Sequence, residues 1–135
     1  MTAINLNTVR GTIEKRLVDE FRNGPVIPLV FNNVPFDDSI NDEYIQCVTS
    51  FGTNQYLTQQ TNLIVGLITL DIFTKQGIGA GSNFVIANRI RNLFNRITVK
   101  GVRFDPPIGP EIFQSGIEGK FQTQMRVSFE IYETI

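Results

Sequence analysis

Residues 63–94 decide the fold and read LIVGLITLDIFT for 63–74, KQGIGAGS for 75–82 and NFVIANRIRNLF for 83–94. The first part is apolar and β-branched and contains no proline, which predicts a strand. The glycines of the middle part end that strand, and Ser82 is the predicted N-cap of a helix that begins near Asn83. The predicted helix carries apolar residues on one face, namely Ile86, Ile90, Leu93 and Ile97.

An opening helix and a closing strand flank this stretch. The helix is predicted from apolar residues spaced four apart, namely Val9, Ile13, Leu17 and Phe21. It should be capped near Asn5 or Asn7 and end at Gly24-Pro25. The strand is predicted over 120–132, where strict alternation places these residues on one face: Phe121, Thr123, Met125, Val127, Phe129 and Ile131.

Three further strands are predicted. Residues 26–31 form an edge strand because they include a proline, 44–51 alternate, and 97–104 form a strand interrupted at Gly101. Residues 52–62 are either a hairpin arm or a mobile loop, and the residues do not decide between them. The proline- and glycine-rich segment 105–119 is expected to be a binding loop or a disordered loop.

These elements predict one domain over residues 1–135, of the α+β class. Its architecture is expected to be a two-layer sandwich, with a mainly antiparallel sheet of four to five strands and two helices on one face. A chain of this length buries about 68% of its unfolded surface, which is enough for a core without disulfides.

The composition argues against most catalytic sites. The chain has no histidine and one cysteine, Cys47, which removes the usual general base, the usual nucleophile pairs and a structural zinc site. The three glycines at 77, 79 and 81 do not form a dinucleotide-binding or P-loop motif. The acidic residues of 37–43 do not follow the EF-hand pattern. We therefore expect no enzyme, no cofactor and no metal.

Charges of opposite sign are separated along the chain. Segment 72–104 carries six basic and no acidic residues, whereas segment 23–74 carries five acidic and no basic residues. The separation is either a chance dipole, a contact between copies of the chain, or a nucleic-acid patch. The net charge of −1 weakens the last reading.

The long apolar strand ending in an aromatic residue, the Gly-x-Gly turn and the helix ending in Leu93-Phe94 resemble the tail terminator proteins of long-tailed bacteriophages. The opening helix, the run Pro25–Phe36 and the closing strand agree with this resemblance, which covers nearly the whole chain. It implies a structural virion protein that forms a hexameric ring. Such a ring caps the tail tube, stops its elongation and offers a joining surface for the head. The implied partners are the tail tube protein and a head-completion protein.

Several residues are candidates for these contacts. The candidates for contacts between subunits are Asp37, Asp38, Asp42, Glu43, Arg89, Arg96 and Arg103. Arg89 and Arg96 are expected on one flank of the second helix. The candidates for an axial partner, on the 105–119 loop, are Pro107, Ile108, Pro110 and Glu111.

The expected location is the head-proximal end of the virion tail, after assembly in the host cytoplasm. The sequence has no apolar run long enough to span a membrane and no signal peptide pattern. No sequence-specific nucleic-acid contact is expected, although DNA is free to pass through the ring. One alternative is a head-completion or minor tail protein. An alternative of another class is a small nucleotide- or nucleic-acid-binding domain.

Overall fold

The computed structural model describes residues 4–32 and 34–134 and contains two helices and seven strands within them. In chain order the elements are α1 Leu6–Asn23, β1 Leu29–Phe31, β2 Tyr44–Thr58, β3 Thr61–Lys75, α2 Gly81–Phe94, β4 Thr98–Val99, β5 Val102–Phe104, β6 Ile108–Phe113 and β7 Lys120–Thr134. The predicted α+β class is confirmed. No helix in the described part of the chain is long and apolar enough to cross a membrane.

The strands form one mixed sheet in the order β1-β2-β3-β7-β5-β4, with β6 also paired to β7. β1 is parallel to β2, and the other pairs are antiparallel. The predicted count of four to five strands is therefore wrong. Residues 97–104 form two short strands joined by a turn at Lys100-Gly101, and β6 lies in the segment that we expected to be a loop.

The core lies between the helices and one face of the sheet. Both helices contribute their buried faces to a single cluster with alternate residues of β2, β3 and β7. The predicted row of α1 is buried, and Asn5 is its N-cap, with its side chain accepting a hydrogen bond from the Thr8 amide at 3.1 Å. The alternation of β7 is also confirmed, because its inward residues from Thr123 to Ile131 are all buried.

Helix α2 begins and ends earlier than the pattern predicted. Ala80 occupies the N-cap position without a side-chain cap, and Ser82 lies inside the helix. The first helical hydrogen bond runs from the Phe84 amide to the Ala80 carbonyl, at 3.0 Å. The helix ends at Phe94, so Ile97 is not part of its apolar face.

Residues 52–62 belong to a long hairpin, which decides between the two alternatives. β2 continues to Thr58 and pairs with β3 up to the rung Thr58↔Thr61, with register shifts at 51–54 and 56–58. β3 in turn pairs with β7 over its full length, from Thr61↔Thr134 to Lys75↔Lys120. The arm is therefore a continuation of the sheet, and most of its β2 side is exposed.

Candidate functional site

The acidic segment is a structured turn. We call residues 34–43 the acidic loop. The Asp37 carboxylate accepts hydrogen bonds from the Ser39 amide at 3.0 Å and from its hydroxyl at 2.6 Å, and the Asn41 side chain donates to the Asp37 carbonyl at 2.9 Å. The two bonds from Ser39 lower the pKa of Asp37. This turn leaves Ile40 pointing into solvent, with 78% of its surface exposed.

An aromatic cluster fixes the acidic loop to the sheet face that carries no helix. The Tyr44 ring stacks on Phe73 at 4.7 Å between centroids, and Phe36 packs on Tyr44 at 4.8 Å. Lys120 donates a hydrogen bond to the Asn41 carbonyl. The Tyr44 hydroxyl is buried without a hydrogen-bond partner among the described residues. Burial, followed by the charge of Asp38, raises the pKa of Tyr44 to about 12.

The Arg89 side chain is held by contacts within its own chain. Its guanidinium donates to the Glu20 carboxylate at 3.0 and 3.1 Å, to the Glu20 carbonyl at 2.9 Å and to the Pro25 carbonyl at 2.8 Å. It also lies 4.3 Å from the centroid of the Phe21 ring. These contacts hold α2 against the end of α1. Arg89 is therefore corrected from an interface candidate to a residue that stabilises the fold.

Arg103 and Arg96 also differ from the expectation. Arg103 donates to Glu130 on the neighbouring strand β7 at 2.7 Å, although most of its side chain stays exposed. Arg96 lies beyond the end of α2 in a left-handed conformation with φ of 55°, so it shares no helical flank with Arg89.

Four cations of the basic segment remain available. Lys75, Arg91, Arg96 and Lys100 form no salt bridge within residues 4–32 and 34–134, and all four are exposed. The four acidic side chains of the acidic loop form no salt bridge in the same part of the chain either. The sign count included Arg91 and Lys100, but neither was among the predicted interface candidates.

A groove of about 400 Å³ lies beside this basic segment. It is lined by Thr12, Lys15, Arg16, Asp19 and Glu20 of α1, Leu93 of α2, and Val99 and Lys100 of the β4–β5 hairpin. Leu93 and Val99 are half-buried and pack against the core. Arg16 donates to the Leu93 carbonyl at 3.0 Å, which ties the two helices together. No sequence signal brought α1 and β4 together, so this groove was not predicted.

The predicted partner loop is partly a strand, which corrects the expectation for residues 105–119. Ile108 and Glu111 pair with Arg126 and Gln124 of β7, and the Glu111 carboxylate lies 3.6 Å from the Arg126 guanidinium. Pro107 and Pro110 are half-buried, whereas Ile108 is 58% exposed. Ile112 and Phe113 are exposed on the same strand and were not among the candidates. The far edge of β6 pairs with no other described strand.

The glycine turn, residues 76–80, connects β3 to α2. Gly77 and Gly79 have φ values of 88° and 85°, which explains why glycine is needed there. Asn83, in the first turn of α2, has a buried side chain that joins the helix to the sheet. It donates to the Ile72 carbonyl at 3.0 Å and to the Thr74 hydroxyl at 3.3 Å, and it accepts from the Thr123 hydroxyl. Across residues 4–32 and 34–134 no group of three or more acidic or cysteine side chains is arranged to hold a metal ion.

Comparison with known proteins identifies the fold and nothing more. No family model and no curated protein sequence matches this chain. Fifteen chains of solved structures do match. One of them, whose name carries no functional description, has a TM-score of 0.67 and 15% sequence identity, and the match covers 98% of this chain and 97% of that chain. The two chains therefore share a fold over nearly their whole lengths.

Proposed function

We propose that this protein is a non-catalytic building block of a ring, similar to a bacteriophage tail terminator. The ring, hexameric in the family that the sequence resembles, caps the end of a tail tube, stops its elongation and provides a surface for the head. Its partners are copies of itself, the tail tube protein and a head-completion protein. The protein then resides at the head-proximal end of the tail.

One observation carries this proposal. The acidic loop and the cations Arg91, Arg96 and Lys100 form no salt bridges within the described chain, and they lie on different parts of the surface. The loop is fixed to the helix-free face of the sheet, while Lys100 borders α1 on the helix side. Two different, complementary patches favour a head-to-tail contact, which gives a ring when the rotation closes.

The charges are expected to set the orientation of the subunits more than their affinity. Exposed ion pairs contribute only about 0.2–1 kcal/mol each, so the fold does not depend on them. Arg103 keeps a supporting role at most, because Glu130 already pairs with it. The interface is thus proposed between Asp37, Asp38, Asp42 and Glu43 of one copy and Arg91, Arg96 and Lys100 of the next.

The proposal is tested with the tail tube protein encoded in the same genome. Tubes assembled with this protein should stop at shorter and more uniform lengths in electron micrographs, with a ring at one end. Native mass spectrometry should detect a ring of six 15.2-kDa chains, about 91 kDa. Tubes that elongate unchanged and carry no ring would contradict the proposal.

A charge swap tests the proposed contact within the same assay. Asp38→Arg with Asp42→Arg, which leaves the Asp37 carboxylate that orders the turn, should weaken ring assembly while the thermal midpoint stays nearly unchanged. Adding Arg91→Asp with Lys100→Asp should restore part of the assembly. Glu118→Arg, which also reverses an exposed acidic residue, is the matched control and should assemble like the unmodified protein. If the two acidic-loop substitutions leave assembly unchanged, or if the two basic-segment substitutions restore none of it, the charge separation plays no part in the contact.

A further inference from the structure

Ile40 is held in an unusual position for a large apolar side chain. It is 78% exposed, the highest value among the exposed large apolar residues of the described chain. Its turn is ordered by three hydrogen bonds within residues 37–41, and the loop is anchored by the packing of Phe36 on Tyr44. An apolar side chain on a pre-organised turn loses little conformational freedom when it is buried by a partner.

The groove between α1 and β4 has the chemistry to receive such a side chain. Leu93 and Val99 offer apolar surface that no described residue covers completely, and both are continuous with the core. The rim carries Lys15, Arg16 and Lys100 against Asp19 and Glu20. Glu20 is already held by Arg89 at 3.0 Å, and Asp19 is paired with Lys15 at 2.8 Å. Lys100 is therefore left as a free cation at the edge of apolar surface.

The acidic loop complements this arrangement. Asp38 and Asp42 lie two residues to either side of Ile40, so an apolar tip is flanked by negative charge. The groove presents the reverse pattern, an apolar surface next to positive charge. The loop of the same chain is fixed on the helix-free face of the sheet, while α1 forms one wall of the groove. The loop of the same chain is therefore held away from the groove, whereas the loop of a second copy has the matching chemistry to enter it.

We propose that Ile40 of one copy inserts into the groove between α1 and β4 of the next copy, with Asp38 or Asp42 beside Lys100. This inference rests on the proposed ring and deepens it, because it replaces a general attraction between charges with one defined contact. The contact joins two different patches, so it is head-to-tail and leaves both patches free at the ends of an open chain of subunits.

Cross-linking tests the contact directly, and the chain offers a clean background for it. Cys47 is 2% exposed, and burial raises the pKa of its thiol to about 12, so it will not react with a maleimide at neutral pH. Asp42→Cys, which keeps Ile40 and Asp38, and Lys15→Cys proteins are prepared separately, then mixed near 1 mM with a short bis-maleimide. The mixture should yield a cross-linked dimer of two 15.2-kDa chains, and each variant alone should yield none. Absence of the mixed product overturns the proposal. A dimer formed by Lys15→Cys alone also overturns it, because the groove would then face its own counterpart.

A substitution series measures what Ile40 contributes. Ile40→Ser should weaken self-association about ten-fold or more, measured by sedimentation equilibrium, because the buried apolar side chain is lost. Ile78→Ser is the matched control, since Ile78 is an isoleucine of a surface turn with 59% exposure, and it should leave association unchanged. Equal association of the Ile40→Ser and unmodified proteins overturns the contact.

The two proposals fail in different ways. If Ile40→Ser still forms rings and stops tube growth, the Ile40 contact is wrong and the ring function stands. If the mixed cross-link forms but the protein never shortens tubes, the contact between copies stands and the tail function is wrong.

Discussion

On the helix-covered face of the sheet, β7 presents Thr123, Met125, Val127, Phe129 and Ile131, and each of them is buried. On the opposite face the same strand presents Gln122, Gln124, Arg126, Ser128, Glu130 and Tyr132, and none of them is buried. Along β7, the contacts on this second face are polar. The side-chain amides of Gln122 and Gln124 both donate to the Asp71 carboxylate at 3.0 Å.

The two faces of the sheet therefore have different roles: the helix-covered face provides stability, and the opposite face carries the proposed recognition loop. Apolar burial is the largest favourable contribution to folding, and nearly all of it lies on the helix-covered face. The opposite face supports only the aromatic cluster of Phe36, Tyr44 and Phe73 and the acidic loop above it. Substitutions on the first face should therefore unfold the protein, whereas those on the second should leave the fold largely intact. Four substitutions test this gradient.

The largest effect is expected at Gly66, on the helix-covered face. A Cβ atom there would lie 2.1 Å from Cζ of Phe129, and the Phe129 ring is 1% exposed and packs edge-to-face with Phe51. Gly66→Ala should lower the free energy of unfolding by about 3 kcal/mol or more, because the ring has no free space to enter. Urea titration followed by circular dichroism measures it. Gly11→Ala, in α1 with nothing within 4 Å, is the control and should stabilise by about 0.5–1 kcal/mol.

The second effect concerns the buried polar network on the same face. Asn83→Leu removes the partner of the Ile72 carbonyl and of the Thr123 hydroxyl. We expect a loss of about 2–3 kcal/mol, since a buried polar group without its partner keeps its full desolvation cost. Adding Thr123→Val should recover part of the loss. Asn88→Leu, at an exposed position of the same helix, should change stability by about 0.5 kcal/mol or less. Equal losses for Asn83 and Asn88 would contradict the network's role.

An intermediate effect is expected at the margin of the covered face. Arg89→Met keeps much of the side-chain volume but removes the hydrogen bonds to Glu20 and Pro25. The expected loss is about 1–2 kcal/mol, because the Arg89 side chain is only 17% exposed and its bonds are charge-assisted. Thermal unfolding followed by circular dichroism measures the loss. Arg91→Met, two residues away and exposed, should lose almost no stability in the same measurement. Were both variants equally stable, Arg89 would again be available for a partner.

The smallest effect is expected on the opposite face. Tyr44→Phe removes a buried hydroxyl that has no partner, so at pH 7 stability should change by about 1 kcal/mol or less, towards greater stability. The pKa of Tyr44 is about 12 in the folded protein against 10.0 for an ordinary tyrosine. The unfolded chain therefore releases this proton first, and stability falls as pH rises from 10 to 12. The variant should lose less stability than the unmodified protein over that range. Tyr56→Phe, at an exposed tyrosine, is the control and should leave stability at pH 7 unchanged.

Patterns that depend on neighbours in sequence were predictive. The row from Val9 to Phe21 and the alternation of β7 are set by the geometry of one helix and one strand, so they could be predicted without the rest of the fold. The turn chemistry was less informative. Pro107, Pro110 and nearby glycines concealed β6, which exists because β7 offers a free edge beside it. Serine is a better N-cap residue than alanine, so Ser82 was predicted as the N-cap, whereas Ala80 occupies that position. The helix begins earlier because this places Asn83 in its first turn, where the side chain donates to the Ile72 carbonyl of β3.

The site depended on contacts that no local pattern encodes. Arg89 belongs to a basic segment in sequence, yet its partner Glu20 lies on the other helix. Basic and acidic residues are separated along the sequence. Which of them are free to contact a partner could be identified only after the ion pairs within the chain were known. The groove is likewise lined by α1 and by the β4–β5 hairpin, which lie far apart in sequence.

The ladder between β3 and β7 has a consequence for the speed of folding. Each of its fifteen rungs joins residues more than forty positions apart, from Lys75↔Lys120 to Thr61↔Thr134. The β2–β3 hairpin is local and can form early, but the central pairing must wait until the last strand has left the ribosome. Chains dominated by such distant pairs fold in milliseconds to seconds. Until then β3 presents an apolar, unpaired edge, so newly made chains should aggregate more readily than the finished protein.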